Sequence, residues 1–298
     1  MKAMILAAGL GTRLRPLTQR RPKALVPVAN VPVIDRVIQY LRRQGTHEII
    51  ANAHHHHKLM TRHLDRGQGI PVEIRVEPKI LGTGGGIKNT EDFWGPQSFV
   101  VINGDILTDI DLTPALARHR ERGDLVTLIL HRRRPFNQIQ IDEHFNVKDI
   151  AGQNRPGRLA FTGIHIIRPE LLEYIPQGRF SNIIDCYKAL IAQGKPVRAY
   201  VSGGHYWRDI GSTRSYFLAN KEALGDKAFL VAAGCRIHDS ARLRGWAVMD
   251  KGSRIEEGAE VERSVLWEGV RVKREVRVVD SVVTASKVVE TDLVEGLL

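Results

Sequence analysis

Apolar residues recur every six positions after about residue 228 of this chain of 298 residues. The first series is Ile237, Leu243, Met249, Ile255, Val261 and Trp267, and the second, after a shift of three residues, is Val270, Val276, Val282, Val288 and Val294. An amphipathic helix repeats every 3.6 residues and does not produce this period. Stacked coils of short strands, each turning one aliphatic side chain inward, do produce it. We therefore predict a short left-handed β-helix over residues 228–298.

The N-terminus combines an apolar strand with a loop of small residues. Residues 4–6 are typical of a buried strand, and four of the next five residues are alanine or glycine. Such a loop lets a base and a triphosphate approach the main chain, whose N–H groups can hold phosphate oxygens. Arg13 offers two forked donors and Lys23 a compact charge, and both suit phosphates. A lone G-x-G motif predicts a plain turn about as well as a phosphate site.

The first hundred residues alternate between apolar strands and helices. The predicted strands cover residues 2–6, 47–52, 72–76 and 98–102, and the predicted helices lie near 32–43, 55–65 and 84–91. This alternation implies a mostly parallel sheet covered on both faces, with ligands at the C-terminal ends of the strands. We expect the glycine loop, the turn after Asn103 and the segment 82–86 to meet in one crevice at that edge.

Two aspartates follow strand-like runs. Asp105 stands in an Asn-Gly-Asp turn, and Asp209 precedes a helix that Ser212 or Thr213 could cap. Magnesium takes a few carboxylates together with phosphate oxygens and water, so two aspartates that face a triphosphate would suit it. For either aspartate alone, a turn or a helix cap is the simpler interpretation.

Five blocks in the same order resemble the sugar-nucleotide pyrophosphorylase (nucleotidyltransferase) family. The signature G-x-G-T-R and P-K lies at residues 9–13 and 22–23, and later blocks lie at 76–89, 101–112, 161–172 and 206–216. The resemblance implies a Rossmann-like α/β domain over residues 1–227, with a mostly parallel mixed sheet. It also implies an enzyme that joins a nucleoside triphosphate to a sugar 1-phosphate and releases pyrophosphate. The middle of the chain is similar to bacterial mannose 1-phosphate guanylyltransferases and N-acetylmuramate 1-phosphate uridylyltransferases.

The resemblance implies roles for the charged residues. Arg13, Lys23 and Asp105 are expected to be catalytic. Arg13 would handle the triphosphate, and Lys23 would bridge the α-phosphate and the sugar phosphate. Asp105 and Asp209 would hold Mg²⁺. The implied nucleotide-binding residues are Leu6, Ala7, Ala8, Gly9, Gly11, Thr12, Arg13, Glu77, Gly82 and Thr83.

The sugar side of the site departs from many relatives. Phe136-Asn137 stands where they carry Tyr-Gly, and residues 147–159 lack their Glu-Lys-Pro block. The resemblance therefore carries over only Lys23 and Gly163 as sugar-phosphate-binding residues.

The base and the sugar remain open at this point. Glu77 lies where many uridylyl- and thymidylyltransferases of the family have glutamine. A carboxylate accepts two hydrogen bonds from guanine, but it also accepts one from uracil or thymine. GTP with mannose 1-phosphate is the leading prediction. The alternatives are uridylyl or thymidylyl transfer to another sugar 1-phosphate, and a solvated strand-end role for Glu77.

The formal charge of +11 predicts anionic partners. No nucleic-acid motif accompanies the basic runs at 132–134 and 251–277, so we interpret them as solvated surface and expect no nucleic-acid partner.

No apolar stretch reaches the roughly 20 residues of a membrane span, and no signal-peptide pattern precedes the first strand. We therefore expect no membrane partner and a cytoplasmic location. Cys186 and Cys235 are interpreted as free thiols of a reducing compartment.

Two further features are interpreted as structural or regulatory. We interpret His54–His57 as structural and similar to a turn found in relatives, because neighbouring helical positions point in different directions and four in a row cannot all ligate one ion. The β-helix is expected to mediate homo-oligomerisation or regulation rather than acyl transfer, because His238 is its only histidine. A non-catalytic regulatory subunit of the same fold is an alternative. Loss of the loop arginine or of the metal aspartates would mark it, and this chain retains them.

Overall fold

A computed structural model describes residues 1–134 and 136–298. The strands, in chain order, are β1 (Lys2–Leu6), β2 (Pro27–Val28), β3 (Val31–Pro32), β4 (Glu48–Ala53), β5 (Val72–Val76), β6 (Phe99–Asn103), β7 (Ile106–Thr108), β8 (Val126–His131), β9 (Asn137–Ile141), β10 (Val147–Ile150), β11 (Leu159–Ile167), β12 (Arg198–Val201), β13 (Trp207–Asp209), β14 (Phe229–Val231), β15 (Arg236–Ile237), β16 (Arg242–Met249), β17 (Arg254–Ile255), β18 (Glu260–Leu266), β19 (Arg271–Val272), β20 (Arg277–Val279), β21 (Val282–Val283), β22 (Val288–Val289) and β23 (Leu293–Val294). The α-helices are α1 (Val33–Arg43), α2 (His57–Leu64), α3 (Gly82–Lys88), α4 (Thr113–Arg122), α5 (Ile183–Ala192) and α6 (Thr213–Ala223).

The chain forms two compact units. The first comprises Met1–Leu10 and Ile34–Asp209, and the second comprises Gly11–Val33 and Ile210–Leu298. The glycine loop is therefore divided between them after Leu10. The predicted boundary between residues 227 and 228 does not coincide with this division and stays a prediction.

A mixed sheet forms the centre of the first unit. Its order is β10-β9-β11-β6-β1-β4-β5, with β8 beside β11 and β12 beside β8. Strands β5, β4, β1 and β6 are parallel, whereas β11 is antiparallel to both β6 and β8. Strands β1, β6 and β8 consequently end at the same edge of the sheet. The strands and helices predicted for the first hundred residues are confirmed within three residues at each boundary.

Apolar side chains on both faces of this sheet form the core of the first unit. Met4 and Phe99 on the strands and Tyr187 on α5 are fully buried. Each such side chain contributes about 1.5–3 kcal/mol through removal of apolar surface from water. Burial on both faces explains why β1 and β6 are continuous apolar runs rather than alternating ones.

Parallel ladders of short strands form the coils of the second unit. Ile237, Ile255, Val272 and Val289 lie above one another in β15, β17, β19 and β22. A second ladder runs through β14, β16, β18, β20 and β23. The side chains between the ladders form one apolar core, which includes Met249 and Val261. The prediction of a left-handed β-helix is confirmed by this hexapeptide-repeat architecture.

The last coils depart from the predicted period. Val288 and Val294 were expected to face inward, and this prediction is wrong, because they are 44% and 58% exposed. Val289 is buried instead. The step between stacked residues is 18 from β15 to β17 but 17 from β17 to β19 and from β19 to β22. A coil one residue shorter than three hexapeptides moves the inward position by one, which a strict period of six misses.

Both cysteines are free thiols, as predicted. Burial raises the pKa of the Cys186 thiol to about 11.

Across residues 1–134 and 136–298, no helix is both long enough and apolar enough to cross a membrane.

Candidate active site

Asp105 and Asp209 lie at one end of a small antiparallel ladder in the first unit. Asp105 directly precedes β7, and Asp209 is the last residue of β13. The ladder pairs Asp209 with Ile106, the neighbour of Asp105. The structure thus brings two partly buried aspartates from distant parts of the sequence onto neighbouring stretches of backbone. Ser212 caps the helix that follows, with Oγ accepting from the Ser215 N–H at 3.2 Å, as predicted.

The Asn-Gly-Asp turn is tied to the end of β1. Gly104 donates its N–H to the carbonyl of Leu6 at 2.9 Å, and a Cβ at Gly104 would lie only 2.9 Å from that oxygen. Gly163 on β11 has φ +77°, and a Cβ there would lie 2.8 Å from Nδ2 of Asn103. Glycine at both positions lets the turn pack against its neighbours. Gly163 is therefore adjacent to the turn that carries Asp105.

The two aspartates fit a magnesium ion better than a metal held by protein ligands alone. Mg²⁺ usually keeps several waters and is bound through one or two carboxylates together with substrate phosphates. In the described part of the chain, no group of three or more histidine, cysteine, aspartate or glutamate side chains could hold an ion. Two carboxylates at the edge where β1 and β6 end supply the donors that a phosphate-bound Mg²⁺ needs from a protein.

Glu77 is buried at the edge of the sheet, with 1% of its surface exposed. Its Oε1 accepts from Nδ2 of Asn52 at 2.7 Å, and its Oε2 accepts from the Leu81 N–H at 3.0 Å. The alternative of a solvated Glu77 is therefore wrong. Asn52 in turn accepts from the Ala7 N–H through Oδ1 at 2.7 Å. One side chain thus connects Glu77 to the start of the glycine loop.

Asn52 is a site residue that sequence reasoning missed. It is the last residue but one of β4 and is 2% exposed, and a buried amide needs partners for both its oxygen and its nitrogen. His54, in the histidine tract, contacts the carbonyl of Glu77 through Nδ1 at 2.7 Å. The first three histidines of the tract lie in the turn between β4 and α2, and His57 is the first residue of α2.

The predicted residues Gly82 and Thr83 open the short helix α3. Gly82 has φ +73°, and a Cβ there would lie 2.5 Å from the carbonyl of Ser181. That carbonyl accepts from the N–H groups of Gly84 and Gly85, and Oγ1 of Thr83 accepts from the Ile183 N–H at 2.9 Å. The glycines are required because the loop before α5 packs directly on the main chain of α3.

The charged part of the signature lies in the second unit. Gly11 has φ +64°, and its carbonyl accepts from Oγ1 of Thr18 at 2.8 Å. Arg13 is exposed in the turn Thr12–Leu14, and Lys23 opens the turn Lys23–Leu25. A left-handed φ at Gly11 explains the glycine at this position, since other residues adopt it only at a cost.

The β-helix and α6 hold the segment that contains Lys23. The indole N–H of Trp267 donates to Oη of Tyr216 at 2.8 Å, and Tyr216 donates to the carbonyl of Pro27 at 2.8 Å. Arg21 forms an ion pair with Glu268, and its guanidinium lies 4.4 Å from the centre of the Trp267 ring. Lys23 is therefore anchored on both sides within the second unit.

The predicted site residues divide into two groups. The first unit contains Leu6, Ala7, Ala8, Gly9, Glu77, Gly82, Thr83, Asp105, Gly163 and Asp209, and the second contains Gly11, Thr12, Arg13 and Lys23. That both groups act on one substrate stays a prediction.

Comparison with known families identifies the chain. Residues 2–225 match the nucleotidyl transferase family, and residues 217–297 match the GlmU-like C-terminal hexapeptide family. This chain therefore belongs to the nucleotidyl transferase family, as the ordered sequence blocks indicated.

Several curated relatives cover most of the chain. A UTP–glucose-1-phosphate uridylyltransferase of Synechocystis sp. is 30% identical over 95% of this chain and 87% of its own. A mannose-1-phosphate guanylyltransferase of Mycobacterium tuberculosis is 29% identical over 91% of this chain and 81% of its own. An N-acetylmuramate alpha-1-phosphate uridylyltransferase of Neisseria meningitidis is 34% identical over 71% of this chain and 94% of its own. The last two belong to the branches that the middle of the sequence resembles.

A solved structure shares the fold. HddC from Yersinia pseudotuberculosis, complexed with GMP-PN, matches with a TM-score of 0.64 and 26% identity. The match covers 74% of this chain and 99% of HddC.

Proposed function

We propose that this chain transfers a nucleotidyl group from a nucleoside triphosphate to a sugar 1-phosphate and releases pyrophosphate. One observation carries the proposal, namely the pairing of Asp209 with Ile106. This pairing brings a second aspartate beside the turn that carries Asp105, at the edge where the parallel strands end. In open α/β sheets, ligands bind at that edge. Membership of the nucleotidyl transferase family supports the same reaction class.

The chemistry of this reaction requires charge neutralisation more than proton transfer. A phosphate oxygen of the sugar 1-phosphate, already an anion, forms a bond to the α-phosphorus, and the bond to pyrophosphate breaks on the opposite side. Positioning and electrostatic stabilisation then account for most of the catalysis. By the family resemblance, Arg13 would handle the triphosphate, and Lys23 would bridge the α-phosphate and the incoming phosphate. Mg²⁺, held by Asp105 and Asp209, would neutralise phosphate charge when bound.

The small residues of the glycine loop make the nucleotide pocket. Leu6 ends β1, and Ala7, Ala8 and Gly9 follow it; their main chain would contact the nucleotide together with Gly11 and Thr12. Gly82 and Thr83 complete the pocket for base and ribose. On the sugar side, Gly163 packs against the turn of Asp105 and is, with Lys23, the proposed sugar-phosphate-binding residue.

GTP is the leading nucleotide and mannose 1-phosphate the leading sugar. Glu77 is 1% exposed and its two oxygens already accept from Asn52 and Leu81, so the choice of base rests on the relatives rather than on a free carboxylate oxygen. The guanylyltransferase of M. tuberculosis and the guanosine analogue bound to HddC support this base. The uridylyltransferases among the relatives support UTP as the alternative.

We also propose that the enzyme is cytoplasmic and that copies associate through the β-helix. The final coils expose Val288 and Val294 on strands whose edges are open to another copy. Light scattering of the full chain tests this proposal. A mass of one chain at micromolar concentration would contradict it.

The proposed function is tested by pyrophosphate release with magnesium. Each of GTP, UTP, dTTP, ATP and CTP is combined with a panel of sugar 1-phosphates. Release with GTP and mannose 1-phosphate alone would support the leading pair. Release with another pair would support the reaction class and replace the substrates. No release from folded protein would contradict the proposal and favour the regulatory subunit.

A further inference from the structure

A cluster of arginines lines one cavity of the first unit. The cavity has a volume of about 290 Å³ and lies between the segment after β8 and the loop before β11. Its arginines are Arg132, Arg133, Arg134, Arg155 and Arg158. The sequence shows the first three as a basic run, but only the fold brings the other two to the same place.

Asparagine side chains hold the two basic segments together. Oδ1 of Asn137 accepts from the Arg133 N–H at 2.9 Å, and Oδ1 of Asn154 accepts from the Asn137 N–H at 3.1 Å. The carbonyl of Asn137 accepts from the Arg155 N–H at 2.9 Å. These bonds hold the two backbones next to each other, so four exposed arginines and the partly buried Arg158 line one small volume.

Most of the charge in this arginine cluster has no counterion within the described chain. Arg158 pairs with Asp149 at 2.6 Å. The other four arginines form no ion pair with a described carboxylate, whereas arginines elsewhere, such as Arg75 with Asp92 and Arg168 with Glu170, do. Like charges held together repel one another, and a bound anion would remove that cost.

The arginine cluster lies at the edge of the sheet that carries the proposed active site. Strand β8 is parallel to β6, with β11 between them, so Arg132 leaves the sheet at the edge where Asp105 does. Gly163, on the intervening strand β11, is the sugar-side residue of the proposed site. A group bound among the arginines would therefore lie at the same edge of the sheet as the proposed site.

We propose that the arginine cluster binds an oxyanion, a phosphate or a carboxylate, in addition to the phosphates joined in the reaction. Guanidinium groups recognise both anions through paired hydrogen bonds. The oxyanion is either an acidic substituent of the sugar substrate or a free phosphate effector. The acidic substituent as a source rests on the proposed function, whereas the free phosphate effector does not.

Binding of inorganic phosphate, measured by calorimetry at constant ionic strength, tests the site without turnover. The test variant is Arg133→Gln with Arg155→Gln. The control, Arg66→Gln with Arg122→Gln, removes the same charge from exposed positions outside the cluster. We expect the test variant to bind phosphate at least tenfold more weakly than wild type, and the control to bind it within twofold. Equal affinity in both variants would overturn the proposal.

Melting in phosphate-free buffer separates binding from loss of folding. Because the substitutions relieve repulsion between unpaired charges, the test variant is expected to melt at or above the temperature of the control. A lower melting temperature together with unchanged phosphate affinity would overturn the proposal.

Kinetics then identify the source of the anion. A selective rise in KM for sugar 1-phosphates with a second acidic group would assign the cluster to the substrate. A phosphate effect on the rate with a neutral sugar 1-phosphate, lost only in the test variant, would assign it to an effector. Both outcomes support an oxyanion site. Tight, salt-sensitive binding of a single-stranded oligonucleotide, with no difference between the variants in phosphate binding, would overturn it.

Discussion

At the scale of single residues, Asn52 links two parts of the proposed nucleotide site through hydrogen bonds. It accepts from the Ala7 N–H and donates to Glu77. The main chain of the glycine loop and the candidate base-reading carboxylate therefore depend on one amide. We infer that Asn52 positions both groups without contacting the reacting phosphates.

Asn52→Ala is expected to reduce stability and nucleotide affinity together. It leaves the partly buried Ala7 N–H and a buried Glu77 carboxylate oxygen without their partner, at a cost of about 1–3 kcal/mol in the free energy of unfolding. Urea denaturation measures this loss, and the KM for the nucleotide is expected to rise more than kcat falls. Gln97→Ala, at an exposed position, is the control. Equal stability of the two variants would contradict the role of Asn52.

Local context decides which residues could be predicted. Asp105 and Asp209 stand in short motifs at the ends of strands, so their place in the ladder of β7 and β13 agrees with their sequence setting. Asn52 stands in no such motif, and its partners are 45 and 25 residues away. Its role follows from the parallel pairing of β1 with β4, which a single sequence does not specify residue by residue.

At the scale of elements, the β-helix supports the loop that carries Lys23. Trp267 follows β18, and its indole N–H reaches Tyr216 on α6, whose hydroxyl holds the carbonyl of Pro27. These residues all belong to the second unit. The coils therefore have a structural role in the signature segment besides any role in assembly.

Trp267→Phe is expected to weaken this support. Loss of the indole donor should lower the free energy of unfolding by about 1 kcal/mol more than the control Trp246→Phe does. The control also shrinks a buried tryptophan, but the Trp246 N–H has no hydrogen-bond partner among the described residues. Denaturant unfolding compares the two, and kcat/KM should fall only in Trp267→Phe. Equal stability and activity of the variants would contradict the support role.

The elements differ in how far a sequence pattern determines them. The period of six predicts the coils because every coil repeats the same packing. It fails at Val288 and Val294, because two steps of 17 residues shift the phase and no residue type marks the change. The grouping of Gly11–Val33 with the C-terminal unit depends on contacts such as the hydrogen bond of Asn220 to the Ala29 N–H, which span about 190 residues.

At the scale of the whole molecule, buried histidines make the fold sensitive to acid. Burial lowers the pKa of His119 and of His131 to about 4 and that of His165 to about 3. These values lie below the unfolded value near 6.5, so the folded state favours the neutral rings. Their full contribution to stability is present above pH 6.5, and it is lost as the pH falls from there toward 4 and 3.

Stability is therefore expected to decrease between pH 7.5 and pH 5. Each histidine should cost about 2 kcal/mol at pH 5, from 1.36 kcal/mol for each pH unit below the unfolded pKa near 6.5. Urea midpoints at the two pH values measure the loss. His119→Gln should reduce it, whereas His47→Gln, at an exposed position, should leave it unchanged. A midpoint independent of pH would contradict the assignment of neutral buried rings.

The central claim is that Asp105 and Asp209 hold the magnesium ion of a nucleotidyl transfer. The most direct test measures pyrophosphate release by wild type, Asp105→Asn and the exposed control Asp226→Asn, with the productive substrate pair and saturating magnesium. We predict that Asp105→Asn loses about 100-fold or more of the turnover, while its melting temperature and the turnover of the control remain at the wild-type level. Near-normal turnover of Asp105→Asn would contradict the claim.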